Sequence, residues 1–211
     1  MLAPNRSPQK AGQQLTGGMK MKRAFLAIAL PLLALPLAVR AELPTDVASA
    51  VRAMGAVNDA GATADVVRPM FAQQAPPRSV VAQRDISFGD NPLQRLAVFT
   101  SAPDAGAGQP ILIFVHGGGF TGGDKHRPGD FTYANVMIWA VEHGFVGVNT
   151  NYRLAPEFPY PNATQDVASA IAWARDHGAE YGGNPNKIFL WGHSAGASLV
   201  GSYLGHPEFY V

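Results

Sequence analysis

The 211-residue sequence contains no cysteine. That excludes disulfides, thiolate metal sites and a cysteine nucleophile together. It fixes no compartment, although it is compatible with an oxidising one. Charge is also scarce and balanced, with 16 basic and 15 acidic residues making up 15% of the chain. No basic stripe interleaved with aromatics occurs, which argues against nucleic acid as a partner. The six histidines show no H-E-x-x-H spacing, so the sequence calls for no metal and no other cofactor. No internal repeat or low-complexity tract is present. With 47% hydrophobic residues the chain is suited to one folded domain rather than to disorder.

A single long apolar run exists, AFLAIALPLLALPLAV, preceded by Lys20, Lys22 and Arg23 and followed by Val39-Arg40-Ala41. A charged start, an apolar middle and small residues at −3 and −1 of a cut after Ala41 predict a secretory signal peptide. The run is short for a span and is interrupted by Pro31 and Pro36, so no stable membrane span is expected. The expected organisation is an upstream extension over 1–18, a signal peptide over 19–41, a helical segment over 42–79 and a folded domain over 80–211. Met19 or Met21 would then be the true start, and the product an exported protein, periplasmic or secreted.

Two Ala- and Val-rich stretches, TDVASAVRAM and ATADVVRPMFAQQ, predict short helices, with Val66, Val67, Met70 and Phe71 packing from one face of the second. From Val80 the texture changes. SVVAQRDISF and LQRLAVFT flank Gly89-Asp90-Asn91-Pro92, a strand–turn–strand pattern. ILIFV and FVGVNTNY are continuous apolar runs that suit strands buried on both faces, with a helix between them ending at Gly144. PNATQDVASAIAWARDHG predicts a helix capped by Asn162, with Gln165 three residues on and Gly178 as its stop. IFLW is expected as another buried strand, with AGASLVGSYLG as the helix after it. Strand–helix alternation of this kind predicts an α/β fold with a mostly parallel sheet and helices on both faces.

Gly192-His193-Ser194-Ala195-Gly196 fits G-x-S-x-G between a strand and a helix. On such a turn a serine takes strained dihedrals that lift its hydroxyl above the sheet, and side chains two positions either side would collide with neighbouring elements. Ser194 is therefore the candidate nucleophile, and the Ala195 N–H a candidate donor to developing negative charge. His193, next to the serine, is expected to pack or hydrogen-bond rather than act as base. His116-Gly117-Gly118-Gly119 follows the earlier apolar strand, and consecutive glycines let backbone N–H groups approach a ligand. Gly117 and Gly118 are the candidate oxyanion-hole donors beside Ala195. Phe120, Tyr152 and Phe158 are candidate pocket walls.

Together with NYRLAPEFPYPNATQDV, these two motifs resemble the α/β-hydrolase esterases of the hormone-sensitive-lipase-like and related bacterial carboxylesterase groups. GHSAGA is also similar to the form found in arylformamidases. The resemblance runs from about Arg84 to Tyr210. It implies an α/β-hydrolase fold, Ser194 as nucleophile, Gly117, Gly118 and Ala195 as oxyanion donors, and His116 and Asp124 as residues that shape the oxyanion loop. One departure is Ala97-Val98-Phe99, where relatives often carry Asp-Val-Tyr; altered local packing is expected there. In this fold the order is serine, acid, histidine. After Ser194 the chain offers His206 and Glu208, and twelve helical residues place His206 roughly 18 Å away, beyond hydrogen-bond reach. His126, His143 and His177 precede the serine and are expected at solvent-exposed loop or helix ends. No triad acid or histidine is thus expected within this chain, which reads as part of a longer hydrolase whose C-terminal strands are missing. As it stands it should expose a strand edge and be essentially inactive.

The expected reaction is cleavage of a small-molecule or carbohydrate-linked carboxylic ester, such as an acetyl or feruloyl ester, through an acyl-enzyme. Two alternatives stand beside it: amide hydrolysis of the arylformamidase kind, and a catalytically inert binding protein on the same scaffold. The oligomeric state is not legible.

Overall fold

The computed structural model describes residues 43–56, 59–72, 79–101, 107–126 and 132–211. The predicted upstream extension and signal peptide lie outside the described residues. Among the described residues no helix is long and apolar enough to cross a membrane. The two N-terminal helices form as expected, α1 over Thr45–Ala53 and α2 over Ala60–Ala72. Val66, Val67 and Met70 are half-buried, whereas the Phe71 side chain lies outside the described residues.

Five strands follow: β1 (Val80–Ser87), β2 (Arg95–Ser101), β3 (Gln109–Val115), β4 (Val146–Thr150) and β5 (Gly183–Gly192). Their order across the sheet is β1-β2-β4-β3-β5. Pairing is antiparallel for β1–β2 and β2–β4 and parallel for β3–β4 and β3–β5. The hairpin turn is closed by the Asn91 side chain, whose Oδ1 accepts the Leu93 N–H at 2.9 Å, and by the Gln94 N–H, which donates to the Asn91 carbonyl at 2.9 Å.

Both faces of the central strands are covered, as their unbroken apolar sequence requires. Ala97, Phe99, Leu112 and Phe114 point to one face and meet Met137 and Ala140 of α3 (Ala134–Glu142). Leu96, Val98, Ile111, Ile113, Val146 and Val148 point to the other and meet Ala174 of α4 (Asn162–His177). The alternation of odd and even residues between the two layers is the period-two pattern of a strand. Helix α5 (Ala195–Gly205) lies on the α4 side, where Leu199 packs with Val115, Tyr152 and Val167. The unusual Ala97-Val98-Phe99 segment is absorbed by packing: Ala97 and Phe99 are buried, and the Arg84 guanidinium lies 5.8 Å from the Phe99 ring centre.

Three local expectations are corrected. Asn162 is not the cap of α4; Pro161 occupies that position. The Asn162 Oδ1 accepts a hydrogen bond from Arg153 Nη1 at 2.8 Å and is therefore unavailable to the helix backbone. Gly178 does not stop the chain in a left-handed conformation; its φ is −58°, and the turn ends at Gly182 with φ 83°. Gly178 is instead a contact glycine, because a Cβ there would run into Ile111. Strand β5 is not buried on both faces. It pairs with β3 alone among the described strands, and leaves Phe189 53% and Trp191 46% exposed.

Candidate active site

Ser194 sits between the end of β5 and the first residue of α5, with φ 53° and ψ −121°. Positive φ is uncommon for a residue with a Cβ, and is tolerated here because the surrounding backbone leaves no alternative. The flanking glycines show why. A Cβ on Gly192 would stand 2.5 Å from the Ala197 nitrogen, and one on Gly196 would stand 2.6 Å from the His116 carbonyl oxygen. The turn is thus clamped against the end of β3, where the His193 N–H donates to the Val115 carbonyl at 3.1 Å. Ser194 itself is exposed.

The glycine loop after β3 lies directly against this turn. A Cβ on Gly117 would come within 2.8 Å of His193 Nδ1 and 3.0 Å of the Ser194 Cβ. The N–H groups of Gly118 and Ala195 have no hydrogen-bond partner among the described residues. Gly117 departs from its expected role, because its N–H donates to the Tyr133 hydroxyl at 3.3 Å. That same hydroxyl lies 3.1 Å from His193 Nδ1. His193 is therefore held by a hydrogen bond rather than turned toward Ser194's hydroxyl as a base.

The base of the loop is held by polar side chains. His116 is buried, stacked on Tyr152 with ring centres 4.4 Å apart, and its Nδ1 is 2.7 Å from the Gly117 carbonyl. The Tyr152 hydroxyl donates to the His116 carbonyl at 3.0 Å, and burial pushes its pKa up to about 12. Tyr152 is thus a core residue and not a pocket wall. Asp124 Oδ1 accepts the His126 N–H at 2.8 Å and its Oδ2 accepts from Asn151 Nδ2 at 3.1 Å. Asn151 Oδ1 accepts the Lys125 N–H at 2.6 Å, while Asn149 Nδ2 donates to the Lys125 carbonyl at 2.7 Å. Lys125, 5% exposed, reaches Asp85 with Nζ–Oδ1 at 2.8 Å. Sequence reasoning passes over Asn149, Asn151 and Lys125. Asn149 and Asn151 carry only the signal of polarity at the end of the otherwise apolar β4, and Lys125, in the loop after β3, carries none.

Phe120 and Phe158 do line one cleft of about 340 Å³, together with Tyr160, Ala163 and Leu199. Its floor is tied to α4 by Arg153, whose Nε and Nη2 donate to Asp166 at 2.9 and 2.7 Å while its N–H donates at 2.7 Å. Asp166 is fully buried, and hydrogen bonding to it pushes the Arg153 pKa further up.

The other histidines lie apart from the serine turn or are engaged elsewhere. His206 follows the last residue of α5 and pairs with Glu208 at 2.9 Å. It lies twelve positions beyond Ser194 along the helix, roughly 18 Å at about 1.5 Å per residue. His143 stacks on Trp139 and His177 on Trp173, both exposed as expected. His126 is not solvent-exposed: it is half-buried, its buried Nδ1 has no hydrogen-bond partner among the described residues, and burial first, then Arg84 and Lys125, lowers its pKa. No cluster of metal-ligating side chains occurs among the described residues.

Among curated proteins the chain is similar to esterase LipC of Mycobacterium tuberculosis, 35% identical over 135 residues, covering 63% of this chain and 32% of that one. Esterase LipQ of the same organism is 39% identical over 128 residues, covering 59% and 30%. The chain thus spans about a third of the length of the curated relatives it matches. The solved structure of esterase B from Lactobacillus rhamnosis superposes with a TM-score of 0.58 at 23% identity, over 74% of this chain and 48% of that one. That likeness identifies the sheet and its helices as an α/β-hydrolase fold. Residues 98–205, which hold the glycine loop and the serine turn, match the BD-FAE family, and the chain belongs to that family.

Proposed function

We propose that this chain carries the nucleophile and oxyanion hole of a carboxylic-ester hydrolase. The observation that supports this reading most directly is the Ser194 turn, at φ 53°, set against Gly117 of the glycine loop. Similarity to proteins named as esterases points to the same chemistry. In this reading the Ser194 hydroxyl attacks the ester carbonyl, and the alkoxide that develops is received by the N–H groups of Gly118 and Ala195. Ala195 opens α5, so the helix N-terminus adds its partial positive charge at that point. The alcohol leaves, and water cleaves the acyl-enzyme.

The proton transfers of both steps need a histidine oriented by an acid. None of the described histidines supports that role, so the reading assigns both groups to residues outside these 211. It also takes the protein as exported, on the strength of residues 19–41. The deciding experiment uses the full-length natural protein with an aryl acetate and with N-formylkynurenine as competing substrates. Hydrolysis of the ester, lost by at least about 10⁴-fold in Ser194→Ala, supports the reading. Preference for the formamide points to the arylformamidase alternative. Absence of turnover and of fluorophosphonate labelling at Ser194 would leave the scaffold a binding protein.

A further inference from the structure

The proposed oxyanion hole is split between two segments. Gly118 follows β3, whereas Ala195 follows β5. The two strands pair in register up to Val115 and Gly192, and the His193 N–H still donates to the Val115 carbonyl at 3.1 Å. Beyond that bond, no backbone hydrogen bond among the described residues joins Gly117 and Gly118 to the serine turn. An oxyanion needs its donors within about 2.7–3.1 Å, so the Gly117–Gly118 segment needs a further tie to the serine turn.

Tyr133 is placed to fix it. Its hydroxyl accepts the Gly117 N–H at 3.3 Å on one segment and lies 3.1 Å from His193 Nδ1 on the other. Gly117 precedes one proposed donor and His193 precedes the nucleophile. The Tyr133 ring is packed 5.2 Å from Phe114 and 5.8 Å from the His193 ring. Its backbone has φ 68°, a conformation that an aromatic residue seldom adopts and that here directs the side chain from the start of α3 to the serine turn.

We propose that Tyr133 is a positioning residue, a strut whose hydroxyl sets the separation of the two halves of the oxyanion hole through Gly117 and His193. The proposal rests on the reading of Ser194 and its neighbours as an ester-hydrolysing site. Because the strut acts on a group that matters only as charge develops, its loss lowers kcat and spares KM.

The test uses the full-length natural protein and an aryl acetate. Tyr133→Phe keeps the ring and removes the oxygen; kcat is expected to fall about 10- to 100-fold at unchanged KM and unchanged thermal midpoint. His193→Ala is expected to lower kcat, while His193→Asn, which returns an acceptor near the Nδ1 position, restores most of it. Adding His193→Ala to Tyr133→Phe brings little further loss, because the strut is already gone. An unchanged kcat in Tyr133→Phe overturns the proposal, as does multiplication of the two single losses in the double variant. If Tyr133→Phe unfolds, the His193→Ala and His193→Asn pair decides alone: equal activity in the two overturns the strut. Ser194→Ala separates the two levels. Activity surviving in that variant removes the underlying reading itself, whereas activity lost there but intact in Tyr133→Phe removes only the strut.

Discussion

The serine turn and the glycine loop face each other across the site, yet they are held in opposite ways. The serine turn is defined by what its residues lack. Gly192 and Gly196 leave room for the Ala197 nitrogen and the His116 carbonyl, and no side-chain hydrogen bond caps α5 at Ser194. The glycine loop is fixed at its base by what neighbours supply: Asn149, Asn151, Asp124 and Lys125 exchange hydrogen bonds across the end of β4. The first arrangement cannot accept an added atom, and the second cannot lose one. Tolerance to substitution should follow that division.

Gly196→Ala tests the first half most severely. The new methyl meets backbone at both Val115 and His116, where no side chain can swing away. A loss of about 3 kcal/mol in denaturant unfolding is expected, together with loss of activity. Asn151→Ala tests the second half. It leaves the buried Lys125 N–H without its acceptor and Asp124 Oδ2 without the Asn151 amide, and should cost about 2 kcal/mol by the same measurement. Should Asn151→Ala prove harmless, the loop is held by packing and the contrast fails.

A smaller effect sharpens the outer edge of the same network. Lys125 holds the Asp85 carboxyl below its usual pKa, chiefly by hydrogen bond and then by charge, with burial opposing. The folded-state value being the lower one, the contribution is complete above about pH 4 and is lost as pH falls through the depressed value. The Asp85 side chain is 74% exposed, which keeps the stability at stake below about 1 kcal/mol. The difference in unfolding free energy between the natural protein and Asp85→Asn should therefore shrink on acidification and in high salt. The smallest effect is expected far from both segments. His206→Ala should leave kcat and KM unchanged, and a large loss there would return His206 to the chemistry.

Much of this division is legible in the amino-acid sequence. The apolar runs of β3 and β4, the hairpin turn at 89–92 and the two glycine motifs carry their placement in local pattern. What escapes is non-local. The Asn162 cap fails because Arg153, nine residues earlier, takes its oxygen. Tyr152 reads as a pocket wall, but stacking on His116, 36 residues away, buries it. Tyr133 sits in a stretch with no motif, and only the fold brings its hydroxyl to Gly117 and His193. The exposed side chains of β5 are not foreseen because an apolar strand sequence does not say how many neighbours the strand has.

The strand order has a further consequence, for the chain while it is being made. Synthesis delivers β3 before either of the strands that flank it, since β4 and β5 both come later in the chain. This apolar strand therefore leaves the ribosome with both hydrogen-bonding edges open, while β1 and β2 can already close their hairpin. Any helper that shields nascent chains should bind best over Gln109–Val115, and its release should wait for residues 183–192.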